Sequence, residues 1–136
     1  NQIDLGELTD NTWIKMENGT NSPLNKWKST DYILIPDNVI SMHTDDITAW
    51  RDGSANTAIF AFYDADKNFI SSVDTDTVGI KTGNAGGGAA SWRNILTYDI
   101  PENAEYVRIC WTIETYTHMT TGVKTSIASP IVQWVY

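Results

Sequence analysis

The stretch Thr57–Ser72, TAIFAFYDADKNFISS, limits what this chain can fold into more than any other. Its first part, Ala58-Ile59-Phe60-Ala61-Phe62-Tyr63, is a short apolar run of β-branched and aromatic residues, which favours a buried strand over a helix. Asp64-Ala65-Asp66-Lys67-Asn68 follows, with Asx side chains that bond their own backbone and tolerate positive φ, so the chain turns. Phe69-Ile70-Ser71-Ser72 returns as a second strand, and the unit reads as a β-hairpin with a short polar loop. An isolated hairpin is marginal in water and needs further strands. Tyr106–Ile113 is the best candidate to supply one. It places Val107, Ile109, Trp111 and Ile113 on one face and Arg108, Cys110 and Thr112 on the other, the period-2 signature of a half-buried strand.

The rest of the chain reads as further short strands. Ile3, Leu5 and Leu8 suit an edge strand, and Trp13–Met16 a short one closed by the turn Glu17–Asn21. Asn18-Gly19-Thr20 also matches a glycosylation acceptor, but Asn-Gly is first of all a good turn. Asp31–Asn38 is a strand stopped by Pro36, which cannot donate to a ladder. Val39–His43 and Ile47–Trp50 are two strands separated by Thr44-Asp45-Asp46, and Arg51–Asn56 is a loop. Asp74–Ser91 is small, polar and glycine-rich, and reads as a long flexible segment. No Lys-Ser/Thr follows its glycines, so a phosphate-cradling loop is not expected. Ile95–Ile100 is a strand, Thr115–Thr121 is loop-like, and Ile127–Tyr136 closes the chain.

Strands at this spacing, with turns between them and no amphipathic helix, describe an all-β antiparallel sandwich. At 136 residues the chain fits a single domain, residues 1–136. A net charge of −8 argues against nucleic acid and anionic membrane as partners, and no apolar run is long enough to span a bilayer. The single cysteine, Cys110, allows no internal disulfide. The chain opens without Met and is expected to be one domain of a larger multidomain protein.

Three segments resemble a recurrent jelly-roll module: Asp31–Pro36, then Ile59–Ser71, then Ile100–Ile109. That module is similar to carbohydrate-binding modules found beside bacterial glycan-active enzymes and in phage tail or baseplate proteins. The resemblance spans residues 28 to 136. It implies a jelly-roll β-sandwich that is extracellular (secreted, cell-surface or virion-associated) and binds polysaccharide. The segment Gly83–Asn94 and the tryptophan-bearing loops lie outside the shared pattern, so no binding residue is carried over from it.

The candidates come instead from the chemistry of sugar rings, whose apolar C–H faces stack on flat aromatics while their hydroxyls seek amide, carboxylate, guanidinium or imidazole groups. Six tryptophans and six tyrosines supply the aromatics. Trp27 sits between Lys26 and Lys28 in what reads as a polar loop; Trp50 precedes Arg51; Trp92 precedes Arg93 and Asn94; Tyr116 and His118 share a segment. Trp27, Trp50, Arg51, Trp92, Arg93, Asn94, Tyr116 and His118 are the expected ligand-binding set. Trp111, by its strand parity, and Trp13 and Trp134 are expected in the core. Asp64-x-Asp66-x-Asn68 copies the start of a calcium loop but has Phe69 at the glycine position and Thr75 at the final carboxylate, so a plain turn is expected. No catalytic motif pairs the acids, and Cys110 has no histidine beside it, so neither catalysis, metal nor cofactor is expected. The alternative to a glycan binder is an assembly domain of a tail or adhesin, with the same aromatics buried against a neighbouring chain.

Overall fold

A computed structural model describes residues 2–51, 58–74, 80–86, 89–112, 114–116, 124–126 and 130–136. At 25–26, 45–51, 74, 80–86, 89–96, 112, 114–116 and 124–126 it describes the backbone alone. Every described element is a strand: β1 Leu8–Ile14, β2 Asn21–Thr30, β3 Ile33–Leu34, β4 Ser41–Arg51, β5 Ala58–Tyr63, β6 Phe69–Asp74, β7 Ile80–Gly86, β8 Ala89–Asp99, β9 Tyr106–Thr112, β10 Glu114–Tyr116, β11 Lys124–Ser126 and β12 Val132–Val135. All pair antiparallel. One sheet runs β1-β2-β9-β5-β6, with β3 also on β9; a second runs β12-β4-β8-β7; β10 and β11 form a small ribbon. Among the described residues no helix is long and apolar enough to cross a membrane. The expected all-β antiparallel architecture is the one observed.

The pair β5–β9 lies at the centre. Phe60 is opposite Ile109 and Phe62 opposite Val107, so these four share one face, and all are fully buried. Phe62 stacks on Tyr98 of β8, with centroids 5.7 Å apart and planes 16° from parallel, which ties the two sheets together. Trp111 joins this core as its parity requires, while Trp13 and Trp134 pack against it half-buried.

The other face of β9 departs from expectation. Arg108 and Cys110 are buried rather than solvated. The first sheet curls until its two edges meet: Ser72 Oγ on β6 donates to Met16 O, and Tyr63 OH donates to Gly19 O at 2.6 Å, both acceptors lying beyond β1. Gly19 has φ +69°, and an added Cβ would sit 2.5 Å from the Phe69 ring, so only glycine lets the β1–β2 turn close over the hairpin. The curl buries what strand parity alone would leave in water.

The hairpin turn itself forms as read. Asp64 Oδ1 accepts the amides of Asp66 and Asn68, each at 2.9 Å, and Oδ2 accepts Asn68 Nδ2. The positive φ, however, falls on Lys67. Among the described residues no cluster of metal-ligating side chains occurs.

Four other readings are corrected by the pairing. Lys26-Trp27-Lys28 is no loop but part of β2, where Trp27 is opposite Thr112 on β9. The gap at Thr44-Asp45-Asp46 is a β-bulge inside one long strand, with Thr44 opposite Leu96 and Ile47 opposite Asn94, which leaves one extra residue on β4. The strand expected over Asp31–Asn38 shrinks to β3. The glycine-rich segment is largely paired as β7 and the start of β8, and its register shifts fall at Lys81/Gly83 and Asn84/Gly86. The extra residues are Thr82 and Ala85, each followed by a glycine that pairs back onto β8, so the glycine content here accompanies a bulged strand rather than a loop.

Candidate functional site

Trp27 is fully buried, which removes it from the expected binding set. Its neighbours explain the error. Lys-Trp-Lys is a three-residue alternation with the indole inward, and Lys28 reaches outward to Asp10, Nζ to Oδ1 2.6 Å. Ser29 and Thr30 continue the strand as short polar residues whose burial composition does not announce. Thr30 Oγ1 accepts the Ile109 amide, which substitutes for a backbone partner at the strand's end.

The backbone places the remaining candidates as follows. Trp50 is opposite Ser91 and Arg51 opposite Ala90 across β4–β8; Trp92 is opposite Ala49 on one side and Lys81 on the other; Arg93 and Asn94 are opposite Thr48 and Ile47. Tyr116 ends β10, opposite Lys124, and β10 packs on β4, β7 and β8. The topology therefore gathers Trp50, Arg51, Trp92, Arg93, Asn94 and Tyr116 at one end of the second sheet, from segments up to 66 residues apart in sequence (Tyr116 against Trp50). Trp50 and Trp92 sit one register step apart on neighbouring strands, and consecutive register positions belong to opposite faces of a sheet. His118 lies outside the described residues.

A second constellation was not foreseen. Tyr32, between β2 and β3, meets Tyr63 edge-to-face at 4.9 Å and Tyr106 at 6.0 Å. Lys67 Nζ lies 5.0 Å from the Tyr32 ring centre and 5.5 Å from that of Tyr106, and the Arg108 guanidinium lies 5.4 Å from Tyr32. Arg108 Nε donates to Thr30 O at 3.0 Å. Burial raises the Tyr63 hydroxyl above its ordinary pKa, and the nearby Arg108 charge offsets part of that rise. Sequence separation hid this cluster: Arg108 and Thr30 stand 78 residues apart.

The remaining reactive groups are structural. The Cys110 thiol is pushed up to about 12 by burial and donates to Ala58 O, so it is held as the neutral, unreactive form. His43 Nδ1 lies 2.8 Å from Thr97 Oγ1 across the β4–β8 ladder, as a sheet residue would.

Compared with protein-family models, curated proteins and solved structures, the chain matched none. The functional reading therefore rests on its own residues.

Proposed function

We propose that this chain is a non-catalytic carbohydrate-binding domain whose ligand lies against the Trp50–Trp92–Tyr116 end of the second sheet. The observation that carries the reading is that β4, β8 and β10 bring the Trp50, Trp92 and Tyr116 segments to that one end, where the register gives each sheet face one indole position with a guanidinium position beside it: Trp50 with Arg93, and Trp92 with Arg51 and Asn94. This combination of flat apolar rings and hydrogen-bonding groups suits a hydroxyl-rich ring with apolar faces. The strand order supports a jelly-roll reading. Gln2 bridges Gln133, which adds the N-terminal segment beside β12, so one sheet runs N-terminal segment–β12–β4–β8 and the other β2–β9–β5–β6. Apart from the hairpins β1–β2, β5–β6 and β7–β8, the chain crosses from one sheet to the other between these strands, as it does in a jelly roll. A β-glucan or hemicellulose is the ligand class, because extended chains present flat faces to flat rings. Each site binds weakly, and tethering to an enzyme or virion makes the binding useful through effective concentration. Such a role belongs outside the cell or on a virion.

Affinity electrophoresis in gels carrying xyloglucan, mixed-linkage β-glucan, glucomannan, xylan or pectin tests this. Retardation by one polymer is expected. Because Trp50 and Trp92 occupy opposite-face register positions, one of Trp50→Ala and Trp92→Ala should abolish retardation and the other weaken it little. A folded domain retarded by none of the polymers contradicts the reading.

The assembly reading is favoured by one observation. Ile40 and Tyr136, 59% and 58% exposed, lie side by side where Ile40 N donates to Val135 O. Self-association in sedimentation velocity, lost in Ile40→Ser with Tyr136→Ser, would turn the assignment that way.

A further inference from the structure

The cleft between the lead-in to β1 and the corner that follows β2 has the makings of a binding site, and it shares no residue with the Trp50–Trp92 end. Its volume is about 300 Å³, at the lower end for small-molecule sites, and Glu7, Leu8, Thr9, Asn21, Tyr32 and Arg108 are among its lining residues. Arg108 forms part of its inner wall and is only 6% exposed. A guanidinium carries five N–H donors. One is spent on Thr30 O and another on the Tyr63 hydroxyl, and no carboxylate among the described residues pairs with the group, so the remaining donors are open to the cleft. A buried cation left without an anion is costly, so donors kept at the wall of an open cleft are groups a ligand can satisfy. Around the rim stand exposed carboxylates: Glu7, and Asp31, whose Oδ1 is already taken by the Tyr32 amide. The Tyr32 ring adds an aromatic wall, held by Tyr63, Tyr106, Lys67 and Arg108.

We propose that this cleft binds a neutral, hydroxyl-rich ring, a single sugar unit or chain end, with Arg108 and Asn21 donating to its oxygens, Glu7 and Asp31 accepting from its hydroxyls, and Tyr32 against its C–H face. Charge selects the class. An anionic ligand would meet Arg108 but also two rim carboxylates and a chain of net charge −8. A neutral polyol uses donors and acceptors alike. The site stands whether or not the β4–β8 end binds polysaccharide, and the test separates the two.

The test is a ¹H–¹⁵N correlation titration of the whole domain with methyl β-D-glucopyranoside, methyl β-D-xylopyranoside, methyl α-D-mannopyranoside and sodium glucuronate. One neutral glycoside should give saturable shifts at the Arg108 guanidinium Nη–H groups and at the amides of Leu8, Thr9 and Tyr32. In the Glu7→Gln, Asp31→Asn double variant its dissociation constant should rise about tenfold or more, since hydrogen bonds to charged acceptors are lost. Both side chains are exposed, so the variant keeps its fold and its spectrum is the control. Tighter binding of glucuronate than of every neutral glycoside overturns the assignment in favour of an anion site. Shifts confined to β4, β8 and β10 overturn it while upholding the polysaccharide surface, and no saturable shift at Arg108 overturns it outright.

Discussion

Two hairpins of this molecule, β5–β6 and β7–β8, each break register twice, yet they are held in different ways. In β5 every residue is buried, the strand is flanked on both sides by partners, and its turn is locked by the Asp64 carboxylate. Among the described residues β7 is an edge strand, Ile80-Lys81-Thr82-Gly83-Asn84-Ala85-Gly86, with a single large apolar residue and a glycine after each bulge. The first hairpin brings its own hydrophobic driving force to the sheet. The second is defined by the β4 ladder against which β8 is laid. A local sequence window therefore reveals the first as a hairpin and reports the second as loop.

Breaking the first hairpin should cost most. Phe62→Ala removes a fully buried ring stacked between the sheets and should destabilise the domain by about 3–5 kcal/mol in urea unfolding. A loss below about 1 kcal/mol would mean that the two sheets do not depend on that contact. Gly19→Ala comes next. It forces a Cβ against Phe69 and Tyr63 at a positive φ, and should cost about 1–3 kcal/mol while lowering the ring-current shifts between those residues. An unchanged stability would show that the β1–β2 turn does not close over the hairpin.

The smallest effect concerns the turn. The Asn68 amide hydrogen bond, the largest influence, holds the Asp64 carboxyl below its ordinary value of 3.8; desolvation opposes it, and the Asn68 side chain and the Asp66 amide add to the lowering. A depressed folded-state pKa gives stability that is present above the unfolded value and is lost as pH falls through the folded one. The Asp66 and Asn68 amide shifts should therefore titrate below pH 3.8, and the rest of the β5–β6 ladder should persist through that step. Titration of the two amides at or above the ordinary carboxyl value would remove the turn lock.

The same contrast explains what could be read in advance. β5, β6 and β9 were legible because large apolar side chains and strand period coincide in them. β2 was not, since Ser22, Asn25, Ser29 and Thr30 look like loop text, and only Lys26-Trp27-Lys28 carries a trace of alternation. β4 was read as two pieces because its bulge falls on two aspartates. Strand parity placed Trp111 correctly and misplaced Arg108 and Cys110, because the curl that covers them depends on Gly19 and Tyr63, far from both in sequence. For the site, residue type was informative and position was not. The Trp50, Trp92 and Tyr116 segments do come together, whereas Trp27 belongs to the core, and the Arg108 cleft needed contacts that no window of sequence contains.

Native-state hydrogen exchange tests the division between the two hairpins most directly. Amides of Phe60–Phe62 and Val107–Ile109 should exchange only through global unfolding, while those of Ile80–Gly86 should exchange through smaller openings, at least about a hundredfold faster. Equal protection across both hairpins, or greater protection in β7, would contradict the account.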